Sequence, residues 1–409
     1  PTGSVILVSH GRPELLARAL TGVAQLLYSE FEVVVVADAA GLEAVAGLPF
    51  ADQIKLVGFE EANISAARNL GVARAAGEIV AFLDDDAVPE PTWLRNLVAP
   101  FADHGVAAAG GYVIGRNGIS LQWGAGEVDE TGQTHSLALQ SDVPQIVPPA
   151  AGRAIRTEGT NCAFRRSVLA SLGGFDPNYK FYLDETDLNM RLARAGHATA
   201  LVPQALVHHG FAASARRTAE RAPRSLFEIG ASSLVYLRKF APPGRRADAV
   251  SALIAAQKSR ALKHMIAGRI EPHIVGVLMQ DLSDGIAEGQ NRTLVKLPEL
   301  PAPCAGFLGF VRPGASGQSR LIHGRIRQAG KLHQKAQEMV EKGDIVTVFL
   351  FGASAIYHQH RFHSAGYWEQ RGGLFGRAVR TEPLFRLTGF KQRVATEKRR
   401  IFRQRALER

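Results

Sequence analysis

The stretch Ile79-Val80-Ala81-Phe82-Leu83-Asp84-Asp85-Asp86-Ala87 decides how the rest of the chain is read. Ile79, Val80, Phe82 and Leu83 suit a strand covered on both faces, as in a parallel sheet. The run ends abruptly in three acids. In open α/β sheets, ligands bind beyond the C-terminal ends of the strands. Three carboxylates there repel one another unless a cation sits among them. Oxygen ligands at close spacing suit a hard divalent ion, Mg²⁺ or Mn²⁺, that also holds phosphates. The competing reading is a solvated acidic turn before Pro89.

Working back from this stretch, 65–76 reads as a helix stopped by Gly77, and Ile54-Lys55-Leu56-Val57 as a strand. The apolar run 31–37 is another strand and ends at Asp38. The chain opens with the β-branched run Ser4 to Ser9, a turn at His10-Gly11-Arg12-Pro13, and a helix in which Leu16, Ala19, Leu20, Val23 and Leu27 recur at helical spacing. Strand, helix, strand, strand, helix, strand within about 85 residues is a doubly wound α/β pattern with a parallel sheet. The first turn lacks G-x-G-x-x-G, and no G-x-x-x-x-G-K-[ST] is present. A dinucleotide oxidoreductase and a P-loop NTPase therefore lose their main support.

Composition sets further bounds. The chain has 409 residues, 46% hydrophobic and 21% charged, enough for one large core or two smaller ones. Cys162 and Cys304 give no disulfide framework and no metal-ligand spacing, which fits a reducing compartment. No stretch approaches the roughly 18 apolar residues that span a bilayer. Pro1-Thr2-Gly3-Ser4 runs straight into a strand, so no leader is expected there. The net charge is +10, with basic residues crowding 216–263 and 377–409. That asymmetry suits an anionic partner such as a membrane surface, or ordinary solubility. Nucleic acid is not expected, because no recognition motif accompanies the charge.

Four polar sets stand at the strand ends. Asp38 can accept a bond from a uracil imide or form a turn. Asn63 is placed to cap the following helix, with Arg68 and Asn69 about one turn in. Arg68 can pair with a carboxylate or a diphosphate. Later, Asp184, Glu185 and Asp187 precede or open a helix, where acids favour the dipole by roughly 0.3–1 kcal/mol each. One of them could instead be the general base of a group transfer. His208 and His209 end the apolar run that begins at Ala205.

In order, Ser9-His10-Gly11-Arg12, Asp38, Asn63-x-x-x-x-Arg68-Asn69-x-Gly71 and Phe82-Leu83-Asp84-Asp85-Asp86 resemble the nucleotide-sugar half of a family 2 glycosyltransferase of GT-A fold. The resemblance continues through Glu158-Gly159-Thr160-Asn161 to Arg166, Gly173-Gly174-Phe175-Asp176, the 184–191 segment and Val207-His208-His209-Gly210. It covers about residues 4–212. It implies a GT-A, Rossmann-like domain with a mostly parallel sheet, followed by a mainly helical C-terminal extension. It implies a divalent ion held by Asp86, Asp84 and His208, with His209 as runner-up. Ser9, Gly11, Arg12, Asp38, Asn63, Arg68, Asn69, Asp84, Asp85 and Asn161 would line the donor side. Matching position by position makes Glu185 the base, with Asp184 and Asp187 as its neighbouring acids. The order here is Asp-Glu where the family has Glu-Asp, so Asp184 stays an alternative. Ala39 and Ala40 stand after Asp38 where many members have a further acid, which loosens the inference about which nucleobase is bound.

The implied activity is metal-dependent, inverting transfer of a sugar from a nucleotide-diphosphate donor, UDP- or dTDP-linked rather than GDP-linked. The acceptor would be a glycan or lipid-linked saccharide of a cell-surface polysaccharide. The setting would be cytoplasmic, peripheral at the inner face of the membrane. Two rivals stay open: a non-catalytic glycan- or lipid-binding module on the same fold, and a sugar-1-phosphate nucleotidyltransferase. Domain limits are expected at 1–212, 213–300 for a basic helical region, and 301–409 for a region with one strand (345–351), three histidines (His358, His360, His363) and a basic tail. Residues 297–313 read as a linker.

Overall fold

The computed structural model describes residues 1–409 except 140, 141, 211, 215, 315, 316 and 409. Its first half alternates strands and helices. Strand β1 (Gly3–Ser9) leads through Pro13, which opens helix α1 (Pro13–Val23), to β2 (Phe31–Ala37). Asp38 then caps a short helix α2 (Ala39–Ala46), accepting from the Gly41 N–H at 2.9 Å. Sequence reading gave this stretch only a turn, because its run of small residues has no clear apolar period. Strand β3 (Ile54–Gly58), helix α3 (Ile64–Arg74) and β4 (Ile79–Asp84) complete the first unit. After the acids come β5 (Ala87–Pro89), α4 (Trp93–Val98) and β6 (Val106–Ile114).

The irregular stretch that follows forms small strands: β7 (Leu121–Trp123), β8 (Gly126–Asp129), β9 (Thr134–Ser136), β10 (Gln145–Val147) and β11 (Arg153–Ile155). Strand β12 (Cys162–Arg165), helices α5 (Arg166–Ser171) and α6 (Asp184–Arg194) and the long β13 (Ala198–His209) return the chain to the main sheet. Strand order there is β10-β13-β6-β12-β4-β1-β2-β3. Pairing is parallel from β3 through β2 and β1 to β4, and between β6 and β13. Strand β12 enters between β4 and β6 antiparallel to both.

The strand pleat distributes the core over two layers. Val5, Leu7, Val33, Val35, Ala81 and Leu83 pack against α1, α2 and α4, while Ile6, Val34, Val80 and Phe82 pack against α3, α5 and α6. Every one of these side chains is fully buried or nearly so. The acids therefore leave a sheet that is rigid on both faces.

The second half opens with the expected helices and goes on to a second sheet. Helices α7 (Phe227–Phe240), α8 (Pro243–Ile266) and α9 (Pro272–Asn291) come first. Helices α7 and α9 touch backbone to backbone: a Cβ at Gly285 would lie 2.0 Å from the Phe227 carbonyl oxygen, and one at Gly289 2.5 Å from that of Ala231. Residues 297–313 are not a free linker. The N–H groups of Leu300, Cys304 and Phe310 donate to the Ala170, Ala73 and Phe31 carbonyls, at 3.0, 3.0 and 2.7 Å. Phe310 is buried between Phe31 and Phe50.

A second sheet then forms, ordered β14 (Ser319–Arg325), β15 (Ile345–Gly352), β17 (Trp368–Gly373) and β16 (Gln359–Phe362), with helices α10 (Ala329–Glu341) and α11 (Phe390–Ile401). Only β15 was legible as a strand, because β17 buries Glu369 and Gln370 where an apolar pattern was sought. The basic tail is partly internal. Arg393 and Arg405 are each 1% exposed and pair with Glu397 and Glu90. Among the described residues, no helix is long and apolar enough to cross a membrane.

Candidate active site

The three acids at the end of β4 point to three different places. Asp84 keeps its side chain partly exposed. Asp85 turns inward, where Ser9 Oγ donates to Oδ2 at 2.7 Å and the Arg12 guanidinium lies 2.7 Å from Oδ1. Burial pushes its carboxyl up to about 7, against the pull of Arg12 and the Ser9 bond. Asp86 accepts from the Ala212 N–H at 2.9 Å and faces His209 Nε2 at 3.0 Å. Arg12 and Arg217 each stand 3.7 Å from its second oxygen. Burial favours its neutral form, but the His209 contact, Arg12 and the Ala212 N–H outweigh that and hold it well below the usual carboxylate range.

Successive residues of a strand face opposite sides, so β13 can bring only one of its two terminal histidines to the acids. It brings His209. Ligand atoms of Asp84, Asp86 and His209 all lie within 4.8 Å of one another, the only such three-ligand group among the described residues. His209 Nδ1 lies 3.3 Å from Gln122 Oε1, which orients the ring and leaves Nε2 toward the carboxylates. His208, the residue that sequence matching assigned to the metal, points the other way. Its Nε2 sits 2.8 Å from Glu90 Oε1 and its ring packs 4.9 Å from that of Trp368. The His358, His360 and His363 set forms no ligand group. His358 is buried on the Gly373 carbonyl at 2.8 Å, and burial pushes it down to about 4.

Opposite the acids lies the first turn of α6. Arg68, projecting from α3, bonds Asp184 there, donates to the Gly159 carbonyl at 3.1 Å and reaches Asp84 at 3.5 Å. Its guanidinium packs over the rings of Phe175 and Phe82, at 5.2 and 5.7 Å. Gly159 is glycine for a local reason: a Cβ would lie 2.4 Å from Arg68 Nη2. Arg68 thus ties two carboxylates together rather than standing open on the donor side.

Glu185 follows Asp184, on the same helical turn. Burial, the Asp184 charge and hydrogen bond, and more weakly Glu158 push its carboxyl well above the ordinary range, against the pull of Arg68. Glu158 is itself pushed up to about 7 by burial, although Arg156 lies 2.5 Å away. The turn into α6 is strained. Tyr182 and Leu183 both adopt left-handed backbone, with φ of 73° and 65°. For non-glycine residues this costs about 1–3 kcal/mol each, and such strain concentrates at functional sites.

Other sequence-predicted residues are occupied within the fold. Asp187 is fully buried on Arg191, at 2.7 Å, and on Lys239, which also holds Asp176 at 2.9 Å. Asn63 caps α3 through Ala66 N–H and donates to the Pro177 carbonyl. Asn69 clips the Phe175 backbone with both ends of its amide, at 2.7 and 2.8 Å. Asn161 accepts from Trp93 Nε1 and donates to the Tyr112 and Ala205 carbonyls. These amides are engaged in holding the walls. Asp38 accepts from Gly11 N–H at 2.6 Å, so Ser9, Gly11, Arg12, Asp38 and Asp85 form one connected edge. Glu158, Tyr182, Gln122 and Glu90 were not anticipated. Of these, only Glu158 stood inside a quoted motif.

Residues 4–172 match the model of Glycosyl transferase family 2. The pre-mycofactocin glycosyltransferase of Mycobacterium tuberculosis (strain ATCC 25618 / H37Rv) is 31% identical over 149 residues, 36% of this chain and 29% of that protein. The O-antigen biosynthesis protein RfbC of Myxococcus xanthus is 29% identical over 242 residues, 55% of this chain and 18% of that protein. The chain thus spans less than a third of the length of these relatives. Among solved structures, mannosyltransferase PcManGT from Pyrobaculum calidifontis, in complex with GDP-Man and Mn²⁺, is similar with a TM-score of 0.43 and 19% identity, covering 71% of this chain and 87% of that one. Over residues 4–172, therefore, the chain is similar to glycosyl transferase family 2.

Proposed function

We propose that this chain is a metal-dependent, inverting glycosyltransferase that uses a nucleotide-diphosphate sugar. The observation that carries the reading is the juxtaposition of two sets on either side of Arg68. Asp84, Asp86 and His209 converge within 4.8 Å on one side, and Glu185 opens α6 on the other, with Arg68 spanning Asp84 and Asp184. Two carboxylates and an imidazole fit Mn²⁺ or Mg²⁺, and the Gln122 contact on His209 is the outer-shell bond such a ligand needs. A divalent ion held there supplies positive charge to the leaving diphosphate. Arg12 and Arg217, flanking Asp86, add to that field.

Glu185 is the base. Its raised affinity for a proton suits it to take the acceptor hydroxyl's proton as that oxygen bonds to the anomeric carbon. The bond from the anomeric carbon to the diphosphate oxygen breaks on the opposite face, and the centre inverts. The connected edge at Ser9, Gly11, Arg12 and Asp38 receives the nucleoside, UDP- or dTDP-linked if Asp38 reads the base. The acceptor is a glycan or lipid-linked saccharide, in keeping with the O-antigen relative's name. In this reading residues 1–212 are the catalytic unit, and the basic charge of the region 213–300 suits an anionic, membrane-borne acceptor.

The test is transfer from a panel of UDP-, dTDP- and GDP-sugars with Mn²⁺. Glu185→Gln should abolish transfer and leave donor binding intact. Asp86→Ala should abolish Mn²⁺-dependent turnover. Full activity in Asp86→Ala would refute the metal site, and loss in Asp184→Asn with retention in Glu185→Gln would reassign the base.

A further inference from the structure

His208 does not face the acids, yet it is buried and bonded. Its partner Glu90 is 3% exposed and lies just after β5, the short strand that pairs with the histidine end of β13. Glu90 also receives Arg405, which comes from the far end of the chain. Arg405 Nε lies 2.9 Å from Glu90 Oε2 and Nη2 lies 3.0 Å from Oε1, a two-point fork. Arg405 is 1% exposed. Its third nitrogen reaches Thr347 Oγ1 on β15 at 3.3 Å, and its guanidinium stacks 4.4 Å from the Trp368 ring on β17. The same Trp368 packs on His208. Next to Arg405, the Gln404 carbonyl accepts from both the N–H and the hydroxyl of Thr92, at 3.1 and 3.0 Å.

We infer that Arg405 is a positioning residue for the metal-side histidine. It fixes Glu90, Glu90 fixes His208, and His208 fixes the strand end from which His209 faces Asp86. The C-terminal sheet is thereby part of the frame of the donor site rather than an appended module. The direct hydrogen-bonded partner of a metal ligand typically contributes about 10–100-fold in affinity, and Arg405, which acts on His209 through Glu90 and the strand, contributes at or below the low end of that range. This inference rests on the metal reading above.

The experiment is a Mn²⁺ titration of the full chain, followed by the EPR signal of free Mn²⁺, alongside the Mn²⁺ dependence of transfer. Arg405→Met should raise the Mn²⁺ dissociation constant by up to about tenfold, and kcat at saturating Mn²⁺ should fall far less than that. Arg405→Lys, which keeps the charge but loses the fork, should recover part of the affinity. If Arg405→Met does not fold, the double variant Glu90→Gln/Arg405→Met, which removes both buried charges, and Arg405→Lys are read the same way. Folded variants with unchanged Mn²⁺ affinity would overturn the inference. His209→Ala separates the two levels. If it leaves Mn²⁺ binding intact, the metal reading fails. If it weakens binding while the Arg405 variants do not, only the role of Arg405 fails.

Discussion

Arg68 bonds Asp184, joining the helix that follows β3 to the helix that carries the proposed base. Both side chains are nearly inaccessible to water. A buried pair of this kind has little net value to lose by joint replacement, but removing one partner strands the other charge. Arg68→Met should therefore lower stability by about 3–5 kcal/mol. Transfer per folded molecule should drop at least a hundredfold, since Asp84 and Asp184 both lose their counter-charge. Arg68→Lys should fall between. Urea denaturation and initial rates at saturating donor measure the two effects.

The proposed base gives a signed pH dependence. Glu185 is held above the ordinary carboxylate range chiefly by burial and by Asp184. The transfer rate should climb with pH along a limb lying above that range, because only the ionised form accepts a proton. Asp184→Asn removes the nearer negative charge. It should move the limb to lower pH, whatever it does to the maximum rate. A profile of kcat against pH for both proteins checks this.

Stability should run the other way. Asp85 and Glu158 are each raised to about 7 by burial. The folded chain keeps protons there that the unfolded chain loses near pH 4. Their contribution to stability is full below pH 4 and is lost as pH rises through about 7. In EDTA, the melting temperature should be lower at pH 8 than at pH 5.5 by at least about 3 °C. Glu158→Gln should shrink that difference. Melting curves at the two pH values decide it.

Phe310 plugs a gap between Phe31 and Phe50, with ring centroids at 5.3 and 5.5 Å. Phe310→Ala should cost about 3–5 kcal/mol in unfolding free energy. Turnover per folded molecule should not change, because the ring lies far along the sheet from the acids. Equilibrium denaturation paired with a rate measurement on the folded fraction tests both halves.

Much of the first half could be read from the sequence, because its strands are uninterrupted apolar runs and its caps are single residues. Asn63 caps its helix as its chemistry suggests, whereas Asp38, read as a turn former, caps a helix that the sequence pattern did not show. The choice between His208 and His209 could not be made that way. The two are neighbours on a strand, and a single register decides which of them faces the acids. Arg68, Asn69 and Asn161 looked like ligand-binding groups because they are polar. The structure occupies them with other protein groups, and no local pattern distinguishes a side chain that binds substrate from one that holds a wall. Glu158 and Tyr182 matter through what surrounds them, and their neighbours are distant in sequence. The second sheet was hidden for a related reason: its buried Gln370 bonds His358 and Glu397, and its buried Glu369 meets His333, partners that come from other elements.

The strap over 297–313 and the return of Arg405 to Glu90 bear on the order in which the protein is made. The aromatic slot at Phe31 and Phe50 closes only when Phe310 has left the ribosome, and Glu90 meets its cation only when Arg405 has. A fragment ending at 212 or 300 would expose both. The strands and turns that are translated earlier are thus completed by residues that are translated much later.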